Sequence, residues 1–184
     1  MLVGELRQQL AAAGARLAAA GLVRESEGNL SARVDWRTCL VTATGAELGR
    51  LRFSGLIEVP LDAREIPAGA TSELALHLGL LQSRGDVAAV VHAHPPTVLR
   101  LAADGKLPDR RTLDEDEQLF GRVVEVPYLQ EGSAALAQAA VTALAAASSC
   151  VLLDHGAVTV GVTVQEALRR MLSLERAAAR TLRI

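Results

Sequence analysis

The stretch Val87-Ala88-Ala89-Val90-Val91-His92-Ala93-His94-Pro95-Pro96 decides how the rest of this 184-residue chain is read. A β-branched apolar run of this kind predicts a buried strand. Side chains alternate faces along a strand, so His92 and His94 leave it on the same side, near enough for two ring nitrogens to share one ion. Pro95-Pro96 cannot continue a ladder and turns the chain out of the sheet directly after the second imidazole. By itself the pair reads equally as a metal pair or as a hydrogen-bonded structural pair, and the flanking sequence has to separate the two.

On the N-terminal side, Val3, Leu6, Leu10, Ala13 and Leu17 recur at steps of three and four, which predicts an amphipathic helix from Leu2 to about Leu22, ended by Gly21. A Gly28-Asn29 turn leads into a strand ending near Val34. Asp35-Trp36-Arg37 is the hairpin turn before a second strand over Thr38 to Thr42, which Thr44-Gly45 breaks. Leu56 to Leu61 reads as a further strand. A helix then begins near Thr71-Ser72-Glu73, with Leu74, Leu78 and Leu81 on one face and Gly85 at its end. Thr71 or Ser72 is its expected N-cap, and Glu73 falls in a first turn where the helix dipole favours a carboxylate.

On the C-terminal side, Pro96 opens a short helix to Ala103, and Asp104 to Glu117 is polar and weakly periodic. Val123 to Val126 reads as a strand, and Gly132-Ser133 caps an alanine-rich helix running to about Ala147. A buried strand from Cys150 ends at Asp154-His155-Gly156, followed by another over Ala157 to Val160. The last helix stands behind the capping box Thr163-Val164-Gln165-Glu166. Helices and strands alternate with several hairpin-like pairs, which predicts one layered α/β domain over residues 1–184 with a mixed or largely antiparallel sheet.

Half of the residues are hydrophobic but only 2% are aromatic, so the core has to be built from Ala, Leu and Val. A net charge of -2 with both signs mixed along the chain gives no footprint for nucleic acid or an anionic membrane. No apolar run approaches the roughly 20 residues that span a bilayer. The first turns carry Glu5 and Arg7 and lack the order of a signal peptide. Cys39 and Cys150 match no ligand or redox spacing and read as reduced core thiols. The expectation is a cytoplasmic protein.

Three of the four histidines, His92, His94 and His155, sit where a buried apolar strand meets a turn. They converge if the two strands are neighbours, and three neutral imidazoles with an open fourth position suit a catalytic zinc site. Alone, His155 reads as a strand-end histidine bonded to backbone. Glu73 is either a helix-dipole residue or the fourth participant, a carboxylate beside the ion able to act as a base. His77, four residues on along the same helix face, could ligate a metal together with Glu73, but reads first as a core histidine hydrogen-bonded in place. Gly28-Asn29, Thr44-Gly45 and Thr71-Ser72 offer backbone N–H groups and hydroxyls of the kind that bind phosphate without Lys or Arg, and such turns are also common structural punctuation.

Taken together, Gly28-Asn29-Leu30-Ser31, Thr42-Ala43-Thr44-Gly45, Ser72-Glu73 with His77, Val90-Val91-His92-Ala93-His94-Pro95, Val126-Pro127-Tyr128 with Gly132-Ser133, and Asp154-His155-Gly156 with Gly161 resemble the class II aldolase/adducin family over nearly the whole chain. The resemblance implies a three-layer αβα fold, with a central mixed, largely antiparallel sheet flanked by helices, and a cyclic homotetramer with active sites at subunit interfaces. It implies His92, His94 and His155 as zinc ligands, Glu73 as the acid/base that also caps the resting metal, and Asn29, Thr44, Gly45, Thr71 and Ser72 around the substrate phosphate. The implied reaction is zinc-dependent cleavage of a small ketose 1-phosphate into dihydroxyacetone phosphate and an aldehyde through a metal-stabilised enediolate. Other members dehydrate methylthioribulose phosphate or epimerise a pentulose phosphate. A non-catalytic adducin-like interaction domain would lack the ligands, and here all three histidines are present. Two features depart from the aldolase pattern: Leu101 to Phe120 holds no tyrosine, the only one being Tyr128, and the sequence ends at Ile184 directly after the last helix. The proton donor to the aldehyde half is thus unassigned, and Asp114, Glu115, Asp116 and Glu117 read as a solvated acidic loop or its substitute.

Overall fold

The structure is a computed structural model, and it describes residues 2–114 and 118–183. Helix α1 (Val3–Ala19) precedes a hairpin of β1 (Asn29–Arg33) and β2 (Thr38–Thr42), with β3 (Leu56–Pro60) added outside β2. Helix α2 (Leu74–Ser83) leads to β4 (Ala89–Ala93) and then α3 (Pro96–Ala103). The chain continues through β5 (Val123–Val126), α4 (Ala134–Ala143), β6 (Ser149–Leu152), β7 (Gly156–Gly161) and α5 (Val164–Leu182). The strands form one seven-stranded sheet in the order β3-β2-β1-β4-β7-β6-β5. Every neighbouring pair is antiparallel except β5 with β6, so the sheet is mixed and largely antiparallel as expected.

Strand alternation divides the core in two. Ala89, Val91 and Ala93 of β4 pack with α1, α3 and α5, among them Leu10, Leu17, Leu101 and Met171. Val90, with Val41, Val158 and Cys150, faces the opposite layer of α2 and α4 through Leu74, Leu81, Leu136 and Ala140. The result is the expected three-layer αβα arrangement with helices on both faces. No helix among the described residues is long and apolar enough to cross a membrane.

Several boundaries differ from the sequence reading, and α1 stops at Ala19 instead of near Leu22. Helix α2 starts at Leu74, leaving Glu73 at the N-cap position and Thr71-Ser72 outside the helix. Thr71 is tied to the sheet through its N–H to the Thr42 carbonyl, and its Oγ1 accepts the Glu73 N–H at 3.3 Å. That side-chain turn takes the place of a first helical turn. Helix α4 stops at Ala143 instead of near Ala147, and Arg84 donates to the Leu144 and Ala147 carbonyls that follow it. At α5, Thr163 Oγ1 accepts the Glu166 N–H as a capping box requires, while the Glu166 carboxylate reaches the N–H of Val162 instead of that of the cap residue.

Candidate active site

The central position of β4 brings the histidines together. His92 lies opposite Asn29 of β1 on one side and Val158 of β7 on the other. His94 follows on the same face, one residue past the end of β4. His155 comes from the tight turn joining β6 to β7, in which Asp154 adopts a left-handed backbone (φ 58°) suited to a short polar side chain. A Cβ on Gly156 would stand 2.7 Å from His92 Cε1 and 2.8 Å from His94 Cδ2, so only glycine lets the turn close on the pair. The three ring centroids lie 4.8 to 5.5 Å apart, and one donor atom from each residue lies within 4.8 Å of the others.

Burial disfavours the charged form of His92 and His94. Burial first, then the imidazoles of His155 and His94, keep His92 well below the usual histidine range. Burial followed by His155 likewise lowers His94. His92 Nδ1 lies 3.1 Å from the Ala157 carbonyl, which fixes the proton on that nitrogen and turns the Nε2 lone pair toward His94 Nε2 at 3.2 Å.

Glu73 comes from the other layer, at the start of α2. Its Oε2 lies 3.1 Å from His92 Nε2 and accepts from Asn29 Nδ2 at 2.9 Å. Its Oε1 points to within 3.6 Å of His155 Nε2, and both Glu73 Oε1 and His155 Nδ1 are buried without a hydrogen-bond partner. Facing lone pairs and an orphaned carboxylate oxygen are costly in a dry site and are satisfied by a cation. The residues present therefore suit a metal ion, and His92, His94 and His155 form a group that can hold one.

Behind Glu73 lies a buried network that the sequence does not reveal beyond marking His77 as a core histidine. His77 is fully buried, and burial lowers it to a pKa of about 3. Its Nε2 lies 2.5 Å from Asn29 Oδ1 and its Nδ1 2.7 Å from Ser31 Oγ. An amide oxygen only accepts, so Nε2 carries the proton and Nδ1 accepts from the Ser31 hydroxyl. Ser31, His77, Asn29 and Glu73 thus form one chain of hydrogen bonds, committing one amide hydrogen of Asn29 to Glu73 and leaving the second for a ligand.

A cleft of about 340 Å³ opens over this centre. Asn29, Thr44, Gly45, Thr71 and Ser72, the residues the sequence reading groups around an anion, all line it together with Glu73, His94 and His155. Asp114 is exposed and is not part of the lining, and Glu115, Asp116 and Glu117 lie outside the described residues. Two further lining residues escape the sequence reading. Glu27 lies 3.9 Å from His94 Nδ1, and Glu131, in the loop before α4, lies 3.9 Å from His155 Nε2. Nothing distinguishes either from a solvated surface glutamate until the sheet is assembled.

Known proteins resemble this chain over most of its length. Residues 8–182 match the family model described as Class II Aldolase and Adducin N-terminal domain. The chain is 32% identical over 154 residues to an L-fuculose phosphate aldolase of Methanococcus maripaludis, covering 83% of each. It is 30% identical to a methylthioribulose-1-phosphate dehydratase of Gluconacetobacter diazotrophicus, covering 91% of this chain and 88% of that one. A 3-oxo-tetronate 4-phosphate decarboxylase of Haemophilus influenzae is 26% identical, with 82% and 74% covered. Among solved structures, the L-fuculose-1-phosphate aldolase of Thermus thermophilus superposes with a TM-score of 0.86 at 31% identity, over 98% of this chain and 94% of that one.

Proposed function

The chain belongs to the class II aldolase and adducin family, and from that premise we propose that it is a zinc-dependent aldolase that cleaves a small ketose 1-phosphate to dihydroxyacetone phosphate and an aldehyde, in the manner of the L-fuculose-1-phosphate aldolases. The observation that carries this reading is the meeting of three imidazoles with the orphaned oxygen of Glu73 at one cleft, which His94, His155 and Glu73 line. His92, His94 and His155 would hold the ion. Zinc suits an all-imidazole set with a further position left for substrate. When bound, it would polarise the ketone and offset the negative charge that builds beside it during cleavage.

The chain's own groups supply the rest. The turns at Asn29, Thr44-Gly45 and Thr71-Ser72 bind the phosphate through N–H groups and hydroxyls, so that remote binding energy orients the reacting carbons. As the bond between carbons three and four breaks, the hydroxyl on carbon four gives up its proton to solvent in becoming the aldehyde, the electron pair stays on carbon three, and a protonated Glu73 delivers a proton there; in the condensing direction the same carboxylate removes it. Asn29, braced by His77, fixes the Glu73 oxygen that does not face His155. The reading extends to a homotetramer in the cytoplasm.

The test is elemental analysis of the purified protein followed by a screen of ketose 1-phosphates for release of dihydroxyacetone phosphate. About one zinc per chain and product from at least one ketose are expected. A protein that takes up no divalent ion, or that loads with metal and dehydrates or epimerises the panel without cleaving it, would overturn the proposal.

A further inference from the structure

We propose that Glu131 sets the charge of the substrate's non-phosphate end, so that the cleft accepts a neutral hydroxylated carbon there and rejects a carboxylate. The inference rests on the proposed sugar-phosphate chemistry and narrows it. Ketose 1-phosphate cleavage and decarboxylation of a 3-oxo-tetronate 4-phosphate each break a carbon–carbon bond next to the carbon that becomes the carbanion of a phosphorylated keto compound. They differ in the group that leaves: a neutral carbinol becomes an aldehyde in one, and a carboxylate becomes carbon dioxide in the other. A site that tells them apart must read charge at that leaving carbon.

Glu131 is placed to do so. Its carboxylate lies 3.9 Å from His155 Nε2, on the cleft side of the histidine cluster. Its position is fixed from the chain that follows. The next residue, Gly132, has φ 71°, and a Cβ there would come within 2.9 Å of the Ser72 carbonyl oxygen, so the loop is pressed onto the Thr71-Ser72 turn. One residue further, Ser133 Oγ accepts the Leu136 N–H at 3.1 Å and caps α4. The other two carboxylates of the lining each have one oxygen engaged, Glu73 Oε2 by Asn29 and Glu27 Oε2 by the N–H of Arg24 at 3.0 Å, and the free oxygen of Glu73 faces His155 at 3.6 Å. Among the described residues the lining holds no Lys or Arg, so no side-chain cation of the lining stands ready to pair with Glu131 or with a second anionic group of the substrate. A carboxylate can accept a hydrogen bond from a substrate hydroxyl but can only repel another carboxylate, which supplies both the attractive and the repulsive element that discrimination uses.

Two ligands of equal length separate the effects, erythritol 4-phosphate and erythronate 4-phosphate, the second with a carboxylate at the end far from the phosphate. Their dissociation constants for the metal-loaded protein are measured by calorimetry, with metal content checked in parallel. The wild type is expected to favour the polyol phosphate. Because Glu131 is 66% exposed and so partly screened, Glu131→Gln is expected to lower that preference about tenfold, and Glu131→Lys further, with metal content unchanged. A wild type that prefers the acid, or a preference that neither variant alters, overturns the proposal. So does a change confined to Glu131→Lys, which would report the added cation and not the native carboxylate. Failure of the aldolase reading is recorded separately, as absence of dihydroxyacetone phosphate from every ketose offered to the wild type.

Discussion

Replacing His77 with Gln tests whether the network behind Glu73 is built on a neutral imidazole. Burial lowers His77 from its ordinary 6.5 to about 3 in the folded chain. The unfolded chain therefore takes up a proton at His77 that the folded chain refuses. The stability this side chain gives is fully present above the unfolded value and is lost as pH falls toward the folded one. Integrating that difference between about pH 6 and pH 4 gives a loss of about 2.5 kcal/mol attributable to this one group. Gln offers a neutral donor and acceptor with no titration in that range. Urea unfolding of both proteins, run in chelator so that metal binding does not enter, measures the effect. His92 and His94 also resist protonation, but they do so in both proteins, so the difference between the two pH profiles isolates His77. Over that interval the wild type is expected to lose about 2.5 kcal/mol more than the variant, whatever the offset between them at neutral pH. Parallel profiles would refute a neutral buried His77 and the hydrogen-bond directions assigned to it.

Glu73→Gln keeps the shape of the carboxylate but cannot accept a proton, so metal content is expected to persist while proton exchange at the substrate carbon, followed by deuterium incorporation, falls by about a hundredfold or more. Gly156→Ala puts a methyl group into the space of His92 and His94; a loss of about 1 to 3 kcal/mol in the metal-free protein and a metal affinity weaker by about tenfold to a hundredfold, read by chelator competition, are expected. Cys39 and Cys150 are buried, and burial raises each thiol to about 12, so neither is expected to react with a disulfide reagent at neutral pH until denaturant is added, when both do.

What is legible in the sequence follows from local periodicity. The alternation in Val90-Val91-His92-Ala93-His94 assigns both imidazoles to the face that α2 covers, and the apolar runs locate all seven strands. The convergence of His155 depends on β4 and β7 being neighbours, a pairing between segments some sixty residues apart that no local pattern encodes. The start of α2 is misleading in the sequence because Thr71, Ser72 and Glu73 carry genuine helix-start chemistry, and the competing bond from Thr71 to the end of β2 exists only once the sheet is formed. Residues 29, 31 and 77 look like a turn, a strand and a helix face; their hydrogen-bond chain forms when α2 packs onto the sheet beside β1.

The same burial that suits His92 and His94 to a metal also bears on the charge of the cleft. Burial disfavours a positive charge on His92 and His94, and the lining, among the described residues, contributes the carboxylates of Glu27, Glu73 and Glu131 with no Lys or Arg. Backbone N–H groups and hydroxyls can orient a phosphate, but they carry only partial charges to set beside three carboxyl side chains. Under the proposed chemistry, a divalent ion must therefore reverse much of the local field before a phosphate dianion settles in the turns, which makes ion and substrate binding cooperative through charge alone, without any movement of the sheet. Tight positioning of the three histidines on β4 and the β6–β7 turn is consistent with that coupling: they are held by deeply buried strands of the sheet, so little ordering would remain to be done on binding an ion.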